Sequence, residues 1–227
     1  MEHLLVFDID GTLVEPKEQI NLTVIQLLRK LQEKAKIAIA SGKNISYISG
    51  FARGIGLTDF IAVGENGAVI FFPENFEEIV LTERPSFIDD LQTMVTKHFA
   101  PYIWFQPNRV QLTIFPKRRE LIDPIASFLL DQIQALGIKD KVVLIKHVDA
   151  IDILPASVNK GEAVSKVREI LGIKKENVIC VGDNENDIPM FEEAGISILI
   201  GNKIDYSKTT LKFSNIIDCL EYLLAVI

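Results

Sequence analysis

The sequence predicts an α/β protein built on a parallel sheet, with a smaller α+β unit inserted in mid-chain. Three observations lead there. Leu4-Leu5-Val6-Phe7 is an unbroken apolar run, which suits a strand covered on both faces of a parallel sheet better than a half-exposed one. Apolar runs and helical periodicities then alternate, strand with helix, to about residue 81 and again from about 158, the order that produces a parallel sheet. Between these stretches the rhythm changes to alternating strands and two long helices, the pattern of helices lying on one face of an antiparallel sheet. The expected division is a core of residues 1–81 and 158–227 with an inserted unit at 82–157.

The opening strand runs into Asp8-Ile9-Asp10-Gly11-Thr12. With a side-chain period of two, Asp8 and Asp10 point to one side and Ile9 to the other, and Gly11 lets the chain turn sharply past them. Either aspartate alone reads equally well as a turn former. Asn21 is expected to cap a helix with Val24, Ile25, Leu27, Leu28 and Leu31 on its apolar face. Ile37–Ala40 is the second strand, ending at Ser41-Gly42, and Asn44 caps a helix that turns Ile45, Ile48 and Phe51 inward. Phe60–Val63 is the third strand. It ends at Glu65-Asn66-Gly67, across which residues 68–72 read as a hairpin partner.

In the inserted unit, Ser86 with Asp89 predicts a capping-box start to a helix reaching about Phe99. Strands are expected over Tyr102–Gln106 and Val110–Phe115, then a helix over Arg119–Leu136 and strands over Val142–Ile145 and Ile151–Leu154. From Asn159 the first rhythm resumes. A helix to about Leu171, the strand Val178–Val181, a helix over Pro189–Ala194, the strand Ile196–Ile200 and a last helix around Ile216–Leu224 complete the prediction.

Apolar residues make up 48% of the 227 and charged residues 24%, an ordinary globular composition. The net charge of −7 and the lack of a Lys/Arg cluster argue against nucleic acid as a partner. No apolar run approaches the roughly 20 residues of a membrane span, and the first strand starts too early to leave room for a signal peptide. Cys180 and Cys219 read as buried free thiols rather than a disulfide. The expected location is the cytoplasm, with no membrane partner.

In open α/β sheets, ligands gather beyond the carboxyl ends of the strands, and that rule selects the candidate residues. Gly182-Asp183-Asn184-Glu185-Asn186-Asp187 follows the strand Val178–Val181, so Asp183 emerges at the same kind of place as Asp8. A helix N-cap explains one of these acids but not the run. Ser41 ends its strand likewise, although alone it reads as a turn hydroxyl. Lys160 starts a helix, where a positive charge is disfavoured by about 0.3 to 1 kcal/mol; a solvated surface lysine is the alternative. Acidic oxygens without a His or Cys cluster fit a hard cation, Mg²⁺ better than Ca²⁺. A hydroxyl and an ammonium beside them suit a phosphoryl group.

At these positions the chain resembles the haloacid dehalogenase-like phosphatases. DIDGT at 8–12, Ser41, Lys160 and GDNEND at 182–187 match four motifs in order, and the resemblance spans the whole chain. The insert between the second and third motifs is similar to the type IIB cap of Cof-like hydrolases, as is GENGAVI at 64–70. The resemblance implies a Rossmann-like core with an α+β cap, Asp8 as nucleophile and Asp10 as general acid and base. It further implies Mg²⁺ held by Asp8, the main-chain carbonyl of Asp10 and Asp183, with Asp187 steadying the metal shell. Ser41, Lys160 and Asn186 would contact phosphoryl oxygens, and Thr12 would shape the loop. One departure is Lys43 after Ser41-Gly42, where many relatives carry Arg; lysine lacks the forked guanidinium.

The substrate implied is a small phosphorylated metabolite of the sugar-phosphate or phosphoglycolate class, taken by a monomer or homodimer. Arg109, Lys146 and His147, in or beside strands of the insert, are candidates for its polar leaving group, and each reads equally well as a surface residue. Two other functions stay open. A receiver-type signalling module also gathers acids, a hydroxyl and a lysine around Mg²⁺, but it carries a separate acidic pair and no cap. A phosphomutase would pass the phosphoryl group to another hydroxyl.

Overall fold

The computed structural model describes residues 3–16 and 18–227, which form two compact units, Met1–Leu81 with Asn159–Ile227 and Thr82–Val158. The first unit opens with β1 (Leu4–Phe7), α1 (Leu22–Leu31), β2 (Lys36–Ala40), α2 (Ile45–Gly54), β3 (Phe60–Gly64), β4 (Val69–Phe72) and β5 (Glu77–Val80). The second holds α3 (Ser86–Phe99), β6 (Ile103–Phe105), β7 (Leu112–Pro116), α4 (Ile122–Ala135), β8 (Val142–Lys146) and β9 (Ile151–Pro155). The chain returns to the first unit with α5 (Lys160–Leu171), β10 (Val178–Gly182), α6 (Ile188–Glu192), β11 (Ile196–Ile200), β12 (Leu211–Phe213) and α7 (Ile216–Val226).

The first unit is an eight-stranded sheet in the order β12-β11-β10-β1-β2-β3-β4-β5. It is parallel from β12 to β3, and the β3–β4 and β4–β5 pairs are antiparallel. Its apolar strands are buried on both faces. Leu5 and Phe7 pack with Leu28, Leu31, Ile48 and Leu220 from α1, α2 and α7, whereas Leu4 and Val6 pack with Val164, Val167, Met190 and Phe191 from α5 and α6. Each such side chain, fully withdrawn from water, contributes about 1.5–3 kcal/mol. The four residues of β1 therefore need no polar face, which is why their sequence does not alternate.

Asparagines start four of the helices. The side chains of Asn21, Asn44, Asn159 and Asn215 accept from the amides of Thr23, Tyr47, Glu162 and Asp218. The β3–β4 connection is a four-residue loop rather than the two-residue Asn-Gly turn expected, since Gly64 pairs with Val69, and Glu65, Asn66 and Gly67 lie at φ of 54°, 55° and 104°. A glutamate in the left-handed region is costly. It is held there because the Glu65 amide donates to Lys43 O at 2.9 Å and the Asn66 amide to Ser41 O at 3.0 Å.

The second unit is an antiparallel sheet, β6-β7-β9-β8. Leu112, Ile114, Ile151 and Ile153 pack with Leu91, Val95, Ile125, Leu129 and Ile133 of α3 and α4. Here the capping-box expectation is corrected. Ser86 is already helical, Pro85 occupies the N-cap position without a side-chain bond, and Asp89 accepts from the Arg84 guanidinium at 2.7 Å instead. The strand β6 lies within the expected 102–106, one residue shorter at each end, and β7 starts two residues later and ends one residue later than the expected 110–115. Two strands, β5 and β12, were not expected from the sequence: they are four and three residues long and lie at the two edges of the larger sheet, where Ile79 of β5 and Leu211 and Phe213 of β12 are only partly buried against the core. Among the described residues, no helix is long and apolar enough to cross a membrane.

Candidate active site

The strand order reverses at β1, whose neighbours are β2 on one side and β10 on the other. Loops leaving β1 and β10 diverge to opposite faces at such a point and leave a crevice beyond the strand ends. Asp8 follows β1 and Asp183 follows β10 directly. The Asp8 amide still donates to Val181 O at 3.0 Å, so the first carboxylate leaves the sheet in register with the second strand.

After Asp8 the chain knots. The Ile9 carbonyl receives the amides of Thr12, Leu13 and Val14, and the Gly11 amide donates to Val14 O at 2.8 Å. Ile9 is buried in the core, as the period of two requires. Gly11 sits at φ 90°, and a Cβ there would come within 2.3 Å of Asp183 Oδ2, so glycine is needed for both its conformation and its close approach. Thr12 donates its hydroxyl to Asp183 Oδ1 at 3.1 Å.

One oxygen of each buried acid, Asp8, Asp183 and Asp187, lies within 4.8 Å of the others. Lys160 stands among them, 1% exposed, with Nζ 2.5 Å from Asp8 Oδ1 and 2.6 Å from Asp187 Oδ1. Asp187 Oδ2 accepts the amides of Asp183 at 2.9 Å and Asn184 at 3.1 Å, so this residue shapes the loop as well as holding the lysine. The start of α5 is fixed by close backbone packing. A Cβ on Gly67 would meet Asn159 O at 2.2 Å, and one on Gly161 would meet Pro189 O at 2.4 Å. The 65–67 turn thus abuts the residue before Lys160.

The remaining residues expected from sequence are placed as follows. Ser41 is buried at the end of β2, with its amide donating to Val63 O and its Oγ accepting from the Lys43 amide at 3.2 Å. Asn186 donates to Asn66 Oδ1 at 3.4 Å, and the Asn66 amide reaches Ser41 O, which ties the second and fourth motifs together. Asp10 lies outside the buried trio; its side chain is 40% exposed, with Oδ2 3.3 Å from Lys43 Nζ. Lys43 therefore faces the second aspartate of the first motif. Glu185 is exposed.

In the other unit, Lys146 pairs with Asp123 at 2.8 Å and His147 Nε2 lies 3.1 Å from the buried Asp152 Oδ2. Arg109 is exposed in the bend before β7. Sequence reasoning missed Lys203, whose Nζ is 2.5 Å from Asp183 Oδ2. Extending the strand-end rule to β11 finds it, since Gly201-Asn202-Lys203 follows that strand directly. It also missed Asn66 as the partner of Asn186.

Burial pushes the Asp8 carboxyl up to about 7; the Lys160 ammonium opposes this and the Asp187 charge adds to it. Burial raises Asp183 as well, against the hydrogen bond from Lys203. For Lys160 burial works the other way, but the charges of Asp187 and Asp8 outweigh it and raise the ammonium. Three buried carboxylates against two ammonium groups leave an excess of negative charge. An all-oxygen, acidic donor set of this kind fits a hard cation, which would return Asp8 to its ionised form.

A sequence profile of the haloacid dehalogenase-like hydrolases matches residues 5–121 and 111–218. A phosphoglycolate phosphatase of Archaeoglobus fulgidus is 31% identical over 202 residues, 87% of this chain and 83% of that protein. A 5-amino-6-(5-phospho-D-ribitylamino)uracil phosphatase of Bacillus subtilis is 27% identical over 228 residues, 92% of this chain and 88% of that protein. A haloacid dehalogenase-like hydrolase of Bacteroides thetaiotaomicron has the same fold, with a TM-score of 0.80 at 17% identity over 98% of this chain and 100% of that one. With DIDGT leaving β1, GDNEND leaving β10 and a profile match over most of its length, the chain belongs to the haloacid dehalogenase-like hydrolase family.

Proposed function

We propose that the chain is a Mg²⁺-dependent phosphatase that hydrolyses a small phosphomonoester through a phosphoryl group carried on Asp8. The observation that carries this reading is Asp8 itself: a buried carboxylate at the reversal point of the sheet, gripped through Oδ1 by Lys160 and adjoining Asp183 and Asp187. Asp8, the main-chain carbonyl of Asp10 and Asp183 would hold the Mg²⁺, and Asp187 would steady them. When bound, the ion neutralises charge on the phosphoryl oxygens and keeps Asp8 ionised.

An oxygen of Asp8 forms a bond to phosphorus as the bond from phosphorus to the substrate alcohol breaks. Asp10, at the edge of the site, gives the departing alkoxide its proton. Its partial exposure lets it lie beside the leaving group instead of within the trio. Asp10 then takes a proton from the water that attacks the phosphoryl-aspartate, and inorganic phosphate and free Asp8 result. Ser41, Asn186 and Lys160 hold the phosphoryl oxygens. Lys160 is steered to that task by Asp187, and Asn186 by Asn66.

The residues in these roles all belong to 1–81 and 158–227, which we take as the catalytic core, with 82–157 as an inserted cap-type domain. The substrate class follows the relatives, which include a phosphoglycolate phosphatase and a 5-amino-6-(5-phospho-D-ribitylamino)uracil phosphatase. A panel of small phosphomonoesters, assayed for free phosphate with Mg²⁺ and with chelator, tests the proposal. Phosphate release that needs Mg²⁺ is expected. Undiminished release in chelator, or transfer of the phosphoryl group to a second hydroxyl without release, would overturn it.

A further inference from the structure

The two lysines at the acidic trio are held in different ways. Lys160 is 1% exposed and bridges two carboxylates, so it has no route out. Among the described residues Lys203 makes one ion pair, 2.5 Å from Asp183 Oδ2, and its side chain is 49% exposed. It reaches Asp183 over the backbone of Gly11, where a Cβ would lie 2.4 Å from Nζ and 2.3 Å from Oδ2. The other oxygen, Oδ1, is held by the Thr12 hydroxyl at 3.1 Å. Thr12 therefore fixes the carboxylate whether or not the lysine is present, and the lysine occupies one face of it.

We propose that Lys203 is a displaceable counter-cation: it neutralises Asp183 in the metal-free site and must swing into solvent when a divalent cation binds, which weakens cation binding. The proposal rests on the metal part of the reading above and adds a residue outside its motifs. Charge repulsion and competition for Oδ2 act in the same direction. A lysine half in water has the freedom to leave at small cost, because its flexible stem carries a strongly hydrated head. Lys160 lacks that freedom, so the site has one permanent and one exchangeable positive charge.

The test is Mg²⁺ binding to the whole chain by calorimetry, without substrate, for the parent and for Lys203→Met, Lys203→Arg and Lys208→Met. Lys208 pairs loosely with Glu192 at 3.9 Å and controls for net charge. Lys203→Met is expected to bind Mg²⁺ about 10- to 100-fold more tightly, the range for losing one charge-assisted hydrogen bond to a carboxylate. Lys203→Arg and Lys208→Met should stay close to the parent. The chelated Lys203→Met protein should also unfold at a lower temperature than the chelated parent, and Mg²⁺ should raise its midpoint by more. Equal or weaker binding by Lys203→Met than by the parent overturns the counter-cation role and leaves the metal site standing. Absence of Mg²⁺ binding by both overturns the role and the metal site together.

Discussion

Replacing Lys160 by methionine keeps most of the side-chain length and removes the ammonium that touches both Asp8 and Asp187. The two contacts, 2.5 and 2.6 Å, are almost wholly buried on both sides. At an effective dielectric of about 20, each is worth roughly 6 kcal/mol before desolvation is counted. Much of that only repays the cost of taking the charges out of water, and removing one partner of a buried pair costs about 3–5 kcal/mol in practice. With two carboxylates left behind, the upper end is expected, a large share of the roughly 5–15 kcal/mol that stabilises a typical domain. Urea unfolding in chelator at neutral pH measures it. The loss should shrink toward pH 5, because burial already pushes the Asp8 carboxyl up to about 7 and removing the ammonium that opposes this raises it further, so Asp8 escapes its penalty by protonation. Adding Asp187→Asn to the variant should recover part of the loss, since one of the stranded charges is then gone. A variant within about 0.5 kcal/mol of the parent, or a loss that grows as the pH falls, would mean that Lys160 does not hold these two charges in the folded protein.

Three further outcomes are expected. Gly67→Ala places a Cβ 2.2 Å from Asn159 O, which must displace the start of α5 and Lys160 with it; phosphatase kcat should fall roughly 10- to 100-fold with the circular dichroism spectrum unchanged. Chelator should abolish turnover while leaving the native spectrum intact, because the acidic trio is separate from the apolar clusters that hold the sheet. Cys180 and Cys219 are buried, with burial raising the first thiol well above its usual range and pushing the second up to about 12. Neither should react with a disulfide reagent at pH 8 in the native protein, since the thiolate is the reactive form; both should react in denaturant.

What the sequence made legible was the part governed by local rules. The apolar run of β1, the Asn21 and Asn44 caps and the Asp8 and Asp183 strand ends follow from burial on two faces, from orphan helix amides and from the reversal of strand order. What it hid depends on contacts across long separations. The partners of Lys160 are 152 and 27 residues away, and Lys203 reaches Asp183 from the end of β11, a loop that carries no motif. Asn66 reads as a turn residue until its 120-residue separation from Asn186 is closed by the fold. Ser86 misled because Pro85 already sits at the cap, one residue earlier than the serine and aspartate pattern implies. The edge strands β5 and β12 were silent because three or four residues are too few for a period of two to stand out, even where Leu211 and Phe213 share the inward face.

If Asp8 carries the phosphoryl group and the Asp10 side chain moves the protons, rapid mixing with p-nitrophenyl phosphate separates the two roles. In Asp10→Asn the amide keeps the size and main-chain carbonyl of the aspartate but can neither give nor take a proton. Nitrophenolate leaves without an acid, so the first step should proceed while hydrolysis of the phosphoryl-aspartate slows for lack of a base. Asp10→Asn should give a burst of nitrophenol close to one per active site followed by slow turnover, and Asp8→Asn no burst. An undiminished burst from Asp8→Asn, or normal steady turnover of alkyl phosphates by Asp10→Asn, would contradict these roles.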